Sequence, residues 1–287
     1  MNKRLKIFSE LVKIRITSFV TVTTAFGYIA FTGRFDLKLI PVLLGVLLLA
    51  FGSAALNHFQ EKDFDFMMDR TKGRPIPSNR ISSINAFKIA LILILSGSIV
   101  LLLESNLLAT GFGLLNLIWY NFIYTYLKRK TPFAIVPGSL VGAIPPVIGW
   151  VAAGGSLVDP QIAVIAFFFF IWQIPHFWLL LLVLDKDYRQ AGFPTLTEVF
   201  NREQLSRITF VWIIATAVTG MLIPLFGIVN NIWINLGLFA SGALLTWKAF
   251  GLLADTNDFR IFNYNFKYIN YFALFVVFIV SIDKLIF

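Results

Sequence analysis

Residues 39–75 read LIPVLLGVLLLAFGSAALNHFQEKDFDFMMDRTKGRP. From Leu39 to Phe59 this stretch is apolar and long enough to cross a hydrocarbon core, which requires roughly 20 residues of helix. The rest carries carboxylates first and then a cluster of cations. The stretch therefore predicts a membrane-spanning helix that brings an acidic and then a basic segment to one surface of the bilayer.

The composition predicts several such helices. The chain has 287 residues, of which 58% are hydrophobic and only 14% are charged, unlike an ordinary soluble domain. Because lipid offers no partner to backbone groups, we expect an all-α polytopic protein with a single domain, residues 1–287. The nine predicted spans are Ile14–Phe31, Leu39–Phe59, Ala86–Leu103, Leu107–Leu127, Ile135–Ala153, Gln161–Leu184, Ile208–Ile228, Ile232–Leu252 and Tyr268–Phe287.

The basic residues predict the orientation of the chain. Twenty-one of the 24 Lys and Arg residues fall at the amino terminus or in alternate loops, and the other three are Arg34, Lys38 and Lys284. By the positive-inside rule, the amino terminus and both acidic loops are cytoplasmic and the carboxyl terminus lies outside. The net charge of +9 is therefore explained by topology and anionic lipid, and we expect no nucleic-acid partner.

Four oxygen-bearing side chains recur every four residues where the second span ends: Asn57, Glu61, Asp65 and Asp69. In one helix this spacing stacks them on one face. Carboxylates on one stripe repel each other and lose hydration near a membrane, so the pattern favours a bound cation. Magnesium carrying phosphate fits oxygen ligands best. The alternative is a solvated helix end at the membrane interface.

Three cations follow these carboxylates, and Arg70, Lys72 and Arg74 are candidates to neutralise the remaining phosphate charge. The first loop, Gln60 to Asn85, has a counterpart four spans later.

The second charged loop, Asp185 to Arg207, repeats the mixture of charges. Asp185 and Asp187 are candidates for a second metal ion, and Arg189 for a phosphate contact. Each loop contains a D-x-D pair, which indicates a weak internal repeat of two four-helix halves that share a site. An ordinary charged loop is the alternative.

Two spans carry polar residues at membrane depth. Asn116, Tyr120, Tyr124 and Lys128 follow one another at four-residue steps in the fourth span, and this stripe predicts a pocket lining, with interhelical hydrogen bonding as the alternative. His176 lies in the sixth span beside Pro175. It is a candidate haem ligand, or it hydrogen-bonds a carbonyl that the proline frees.

Several motifs carry a resemblance to a known family: Lys13-Ile-Arg15-Ile-Thr17-Ser18, Asn57 through Pro77, Gly138-Ser139 through Trp150, and Pro175-His176-Phe177-Trp178 followed by Asp187-Tyr188-Arg189. With these motifs the chain resembles the intramembrane aromatic prenyltransferases. The acidic loop is typical of the superfamily as a whole. The proline-rich fifth span and the Pro-His-Phe-Trp run are typical of its protohaem-farnesylating branch, the haem O synthases.

This resemblance implies a nine-helix bundle in the bacterial inner (cytoplasmic) membrane. It implies a magnesium-dependent transfer of farnesyl from farnesyl diphosphate to a vinyl group of haem b (protohaem IX), with addition of water, giving haem O and diphosphate. It also implies a link to a haem A synthase or a terminal-oxidase assembly pathway. The implied catalytic residues are Asn57, Glu61, Asp65, Lys128 and Asp187. The implied metal ligands are Asn57, Glu61, Asp65, Asp185 and Asp187. The implied substrate-binding residues are Arg70, Lys72, Arg74, Arg189, Tyr124 and His176.

Some positions depart from the family pattern. Glu61 stands where aspartate is common, which keeps a carboxylate, and His58 stands where asparagine is common. The segment Thr195–Glu198 replaces a more apolar one, and no motif is found from Ile208 onward. Two other functions stay open: prenylation of a quinone precursor or another aromatic acceptor, and membrane transport through buried polar groups.

Overall fold

The computed structural model describes residues 3–254 and 260–287, and every regular element in that part of the chain is helical. The prediction of nine apolar helices long enough to span a membrane is confirmed there. The nine spans are Ile14–Thr32, Leu39–Gln60, Ser83–Glu104, Leu107–Leu127, Pro132–Ala152, Pro160–Val183, Arg202–Leu225, Ile232–Ala254 and Arg260–Ile286.

Some helix bounds differ from those predicted. The third span begins at Ser83, because the Ser82 side chain accepts a hydrogen bond from the Asn85 amide and caps the helix there. The ninth span begins at Arg260, eight residues before the predicted start, because its first turns are polar and hydropathy does not detect them. A helix at Lys3–Leu11 precedes the first span, and short helices at Lys62–Met67, Asp185–Gln190 and Leu196–Val199 lie in the two charged loops.

The spans form a closed ring in which each packs beside the next and the ninth contacts the first. The first and fifth spans cross at glycines. A Cβ atom on Gly149 would lie 1.9 Å from the Thr24 carbonyl oxygen, and one on Gly27 would lie 1.9 Å from that of Pro146. Small residues let helix backbones approach closely in a membrane, where such packing replaces the hydrophobic effect.

Both charged loops lie at the same end of the ring. Met68 of the first loop is buried with Ala191 and Phe193 of the second, and the rings of Phe64 and Phe193 are 5.0 Å apart. The two charged loops therefore share one side of the bundle, as the distribution of Lys and Arg residues predicts. Which end faces the cytoplasm stays a prediction.

At the other end of the ring, the last turn of the ninth span contacts the connection between the seventh and eighth spans. The buried carboxylate of Asp283 accepts hydrogen bonds from the backbone amides of Asn230 and Asn231, at 2.8 and 2.9 Å, where the eighth span begins. This contact joins the seventh-to-eighth connection to the last turn of the ninth span.

We expect Gly149→Ala to lower stability by about 1–3 kcal/mol, because the added methyl group forces the first and fifth spans apart. Gly111→Ala is the matched control, since a Cβ at Gly111 meets no atom within 4 Å and that helix face is exposed. Thermal unfolding of both variants in detergent measures the difference. Equal transition temperatures would show that the crossing tolerates a side chain.

Candidate active site

Three oxygen-bearing side chains of the first acidic segment each contact a cation from another part of the chain. The pairs are Lys13 Nζ to Asn57 Oδ1 at 2.7 Å, Lys128 Nζ to Glu61 Oε1 at 2.6 Å and Arg74 Nη1 to Asp65 Oδ1 at 2.7 Å. The three cations come from the turn before the first span, the end of the fourth span and the basic part of the first loop. The site is therefore assembled from segments far apart in sequence.

The predicted stripe holds for its first three members. The second span ends at Gln60, but the amides of Glu61 and Asp65 still bond to the carbonyls of Asn57 and Glu61, so the helical spacing continues across the junction. Asn57, Glu61 and Asp65 are 1%, 5% and 1% exposed. A solvated helix end at the membrane interface does not describe these three buried side chains.

The prediction that Asp69 shares this face is wrong. The loop helix ends at Met67 and Met68 is extended, so the chain turns away before Asp69. Asp69 is exposed and bonds to Lys72 at 2.7 Å, and this bond holds the Asp69 pKa below its ordinary value. The structure therefore places neither residue of this pair with the buried stripe.

Charge and burial oppose each other at Glu61. Burial alone would raise the Glu61 pKa, but the charge of Lys128, aided by that of Lys13, holds it below its ordinary value. Lys128 Nζ lies 2.6 Å from Glu61 Oε1, so the two residues form a buried ion pair. The carboxylate is thus ionised and keeps capacity for a further ligand.

Lys13 was not predicted to be a site residue. Its backbone is in the left-handed region, at φ 51°, which is rare for a side chain with a Cβ and turns the chain into the first span. Burial, together with the charge of Arg74, lowers the pKa of Lys13 to about 7. The signal in the sequence was its place in the Lys13-Ile-Arg15 motif before the first span.

A buried polar network holds the second span against the fourth. Asn121 is fully buried; its Oδ1 accepts from the Ser53 hydroxyl at 2.6 Å and its Nδ2 donates to Gln60 Oε1 at 3.0 Å. Asn57 Nδ2 donates to the Thr125 hydroxyl at 3.3 Å. These interhelical hydrogen bonds are made by Asn121 and Thr125, which are not members of the predicted stripe.

The fourth span is π-helical over Trp119–Tyr124, which the regular four-residue stripe did not predict. The rings of Tyr120 and Tyr124 stack at 6.0 Å, and Lys128 Nζ lies 5.7 Å from the Tyr124 ring centre. Asn116 keeps a buried Oδ1 without a partner. Tyr124 also stacks with Phe177 at 6.0 Å. This contact connects Tyr124 and the nearby Lys128 with the sixth span.

One ion pair joins the two charged loops. Arg70 Nε lies 3.8 Å from Asp187 Oδ2, so this pair links the two loops. Asp185 instead forms an ion pair with Arg189 at 2.9 Å and accepts a hydrogen bond from the Thr197 hydroxyl. Both partners belong to the second loop. The structure therefore brings Asp187 to Arg70 of the first loop and holds Asp185 and Arg189 together in the second.

The residues fit a magnesium ion by the chemistry of their donors. All five candidate ligands offer oxygen, and three of them, Asn57, Glu61 and Asp65, are buried on one face. Within residues 3–254 and 260–287, however, no three His, Cys, Asp or Glu side chains come close enough to hold a metal by themselves. Asparagine and substrate oxygens would have to complete the coordination, as is common for magnesium.

His176 faces the ninth span. Its Nδ1 lies 2.7 Å from Oδ1 of Asn270, and its ring is close to those of Trp172 and Phe266, at 4.9 and 5.0 Å. Sequence reasoning missed Asn270 because the ninth span contains no motif. The only signal was an amide in an apolar helix.

Comparisons with known proteins agree with this architecture. The sequence model of the UbiA prenyltransferase family matches residues 18–275. A protoheme IX farnesyltransferase of Nitratidesulfovibrio vulgaris (strain DP4) is 34% identical over 241 residues, 83% of each chain. One from Oleidesulfovibrio alaskensis is 30% identical over 290 residues, 98% of each chain.

Solved structures show the same fold. A digeranylgeranylglyceryl phosphate synthase aligns with a TM-score of 0.80 at 18% identity, over 99% of both chains. A UbiA homologue from Archaeoglobus fulgidus bound to GPP and Mg²⁺ aligns with a TM-score of 0.70 at 14% identity, over 96% of this chain and 99% of that one.

We expect Arg74→Met to destabilise the protein by roughly 3–5 kcal/mol, because it leaves the buried Asp65 carboxylate without its partner. Lys72→Met is the matched control and should cost less than about 1 kcal/mol, since the Lys72–Asp69 pair is exposed. Unfolding of both variants in detergent measures this. Adding Asp65→Asn to Arg74→Met should recover part of the loss; no recovery would contradict the assigned pairing.

Proposed function

Because the chain belongs to the UbiA prenyltransferase family, we propose that it transfers a farnesyl group from farnesyl diphosphate to a vinyl group of protohaem IX. The observation that carries the proposal is a buried row of oxygen donors ringed by cations, in a chain whose relatives at 30–34% identity are named protoheme IX farnesyltransferase. The fold relative bound to GPP and Mg²⁺ supports a prenyl diphosphate as the donor substrate.

In this proposal the reaction begins with ionisation of the donor. The bond between the first farnesyl carbon and oxygen breaks, and its electron pair leaves with the diphosphate. Asn57, Glu61 and Asp65, with Asp187 of the second loop, are the residues that would hold magnesium, whereas Asp185 is already paired with Arg189. When bound, that ion supplies positive charge to the departing diphosphate.

The cations of the site share this work. Lys128 and Arg74 lie within 2.7 Å of candidate metal ligands, and Arg70 lies 3.8 Å from another, so all three are near the departing group. Lys13 joins them through Asn57. Preorganised charge of this kind stabilises a transition state because it needs little reorganisation during the reaction. Lys72 and Arg189 are engaged elsewhere, and we do not assign them a phosphate contact.

The allylic cation that remains is attacked by the vinyl group of the acceptor. The π electrons of the vinyl group form the new carbon–carbon bond and leave a positive charge beside the porphyrin ring. Water then adds its oxygen there and releases one proton, which gives the hydroxyl group of haem O. The rings of Tyr124 and Phe177 stack near Lys128. Their aromatic faces would stabilise the positive charge of the allylic cation.

The membrane setting follows from the substrates and the spans. The nine apolar helices make this a multi-pass membrane protein. We further propose the bacterial inner membrane, with the charged loops on the cytoplasmic side where most Lys and Arg residues lie. A haem A synthase or a terminal-oxidase assembly pathway would consume the product.

The acceptor is tested directly. Membranes containing the protein are incubated with labelled farnesyl diphosphate, magnesium and either haem b or 4-hydroxybenzoate, and the pigments and lipids are identified by mass. We expect label in haem O with haem b. Prenylated 4-hydroxybenzoate without haem turnover would replace this function by quinone-precursor prenylation. No diphosphate release with either acceptor would refute prenyl transfer to both.

We expect Glu61→Gln and Asp65→Asn each to lower turnover by roughly 10²–10³-fold, because each removes a carboxylate that would hold magnesium beside the leaving diphosphate. Asp69→Asn should change turnover little, since Asp69 is exposed and outside the buried stripe. Initial rates of haem O formation at saturating substrates measure both. Comparable losses in all three variants would contradict the roles assigned to the stripe.

A further inference from the structure

Two hydrogen bonds fix the side chain of Asn270 in the ninth span. Its Nδ2 donates to the carbonyl of Phe266 at 2.5 Å, one helical turn earlier. A carbonyl only accepts, so this bond identifies the amide nitrogen and leaves Oδ1 facing His176 Nδ1, at 2.7 Å. Because Oδ1 is also only an acceptor, Nδ1 of His176 must carry the proton.

A neutral imidazole with its proton on Nδ1 has its lone pair on Nε2. Within the described part of the chain, Nε2 of His176 makes no hydrogen bond, and it is not among the buried atoms that lack a partner. His58 differs, since both of its ring nitrogens are buried without partners. The Nε2 lone pair of His176 therefore has no hydrogen-bond donor among the described residues.

Three aromatic rings surround the His176 ring, and flat, apolar ligands favour aromatic surroundings. The His176 ring lies 4.9 Å from that of Trp172, 5.6 Å from Phe177 and 5.0 Å from Phe266. Phe177 in turn stacks on Tyr124, beside Lys128 and the donor site. A series of aromatic contacts thus connects the His176 ring with the proposed donor site.

We propose that Asn270 is a positioning residue for the acceptor: it holds His176 in the Nδ1–H tautomer, so that Nε2 ligates the iron of protohaem. This inference rests on the proposed function. Histidines that bind metals usually donate their other N–H group to an oxygen, and that bond fixes the ring and raises its basicity. The Asn270 amide supplies the oxygen, from a span in which the sequence shows no motif.

Iron ligation is tested by comparing two acceptors that differ only in the metal. Purified protein in nanodiscs is titrated with protohaem and with iron-free protoporphyrin IX, and the Soret band is followed. We expect the wild-type protein to bind protohaem more tightly than the iron-free ring. Asn270→Leu and His176→Ala should each weaken protohaem binding by about 10–100-fold and leave the iron-free ring unaffected.

Asn265→Leu is the matched control. Asn265 lies on the same span and also donates its Nδ2 to the carbonyl four residues earlier, but its Oδ1 has no hydrogen-bond partner. It should keep the wild-type preference for protohaem. Asn270→Asp retains an oxygen acceptor for Nδ1–H. It should restore the preference and shift the reduction potential of the bound haem to lower values, because a carboxylate makes the imidazole a stronger donor.

Several outcomes would overturn the assignment. A loss in Asn270→Leu that is equal for both rings would mean a packing role, as would an unchanged Soret band. An Asn270→Asp variant that behaves like Asn270→Leu would also reject it. Product analysis separates the role of Asn270 from the proposed function. If the wild-type protein forms haem O and the Asn270→Leu variant binds protohaem normally, only the role assigned to Asn270 is wrong. If the wild-type protein forms no haem O, the proposed function itself fails.

Discussion

Buried carboxylates at the edge of a membrane must each be matched by positive charge, and this requirement organises the charged end of the molecule. A carboxylate taken out of water is strongly destabilised unless it is paired or binds a cation. Here the end of the second span and the loop helix that follows it deliver Asn57, Glu61 and Asp65 to one buried face. Cations from three other segments contact them, and these contacts tie the turn before the first span, the fourth span and the first loop into one unit.

The same requirement explains why the site is precise although it is built partly on loops. The Asn121 network fixes the second span against the fourth, and the π-helical turn directs Asn121 to the second span while Tyr124 faces the sixth. Single-turn π-helical segments are frequent at functional sites because they redirect side chains without ending a helix. The loops themselves are anchored by Phe64 and Phe193.

The site divides the proposed chemistry into two regions with different physical properties. At the membrane edge the side chains are charged, and in the proposed mechanism the ion pairs around Glu61 bind the diphosphate of the donor. Deeper in the bundle, between the sixth and ninth spans, aromatic rings surround His176 and its partner Asn270. Tyr124 and Phe177 lie between the two regions. In the proposed mechanism the charged end binds the donor and the His176 region binds the acceptor.

The sequence alone determined the class of the fold, the number of spans and the first three members of the oxygen stripe, because each depends on hydropathy or on helical period over adjacent residues. Only the tertiary structure decided the rest. It paired Lys13 with Asn57 and Asn270 with His176 across 44 and 94 residues of chain. It also removed Asp69 from the stripe through one extended residue, Met68. Contacts between distant segments depend on how the helices pack, and local periodicity does not encode that packing.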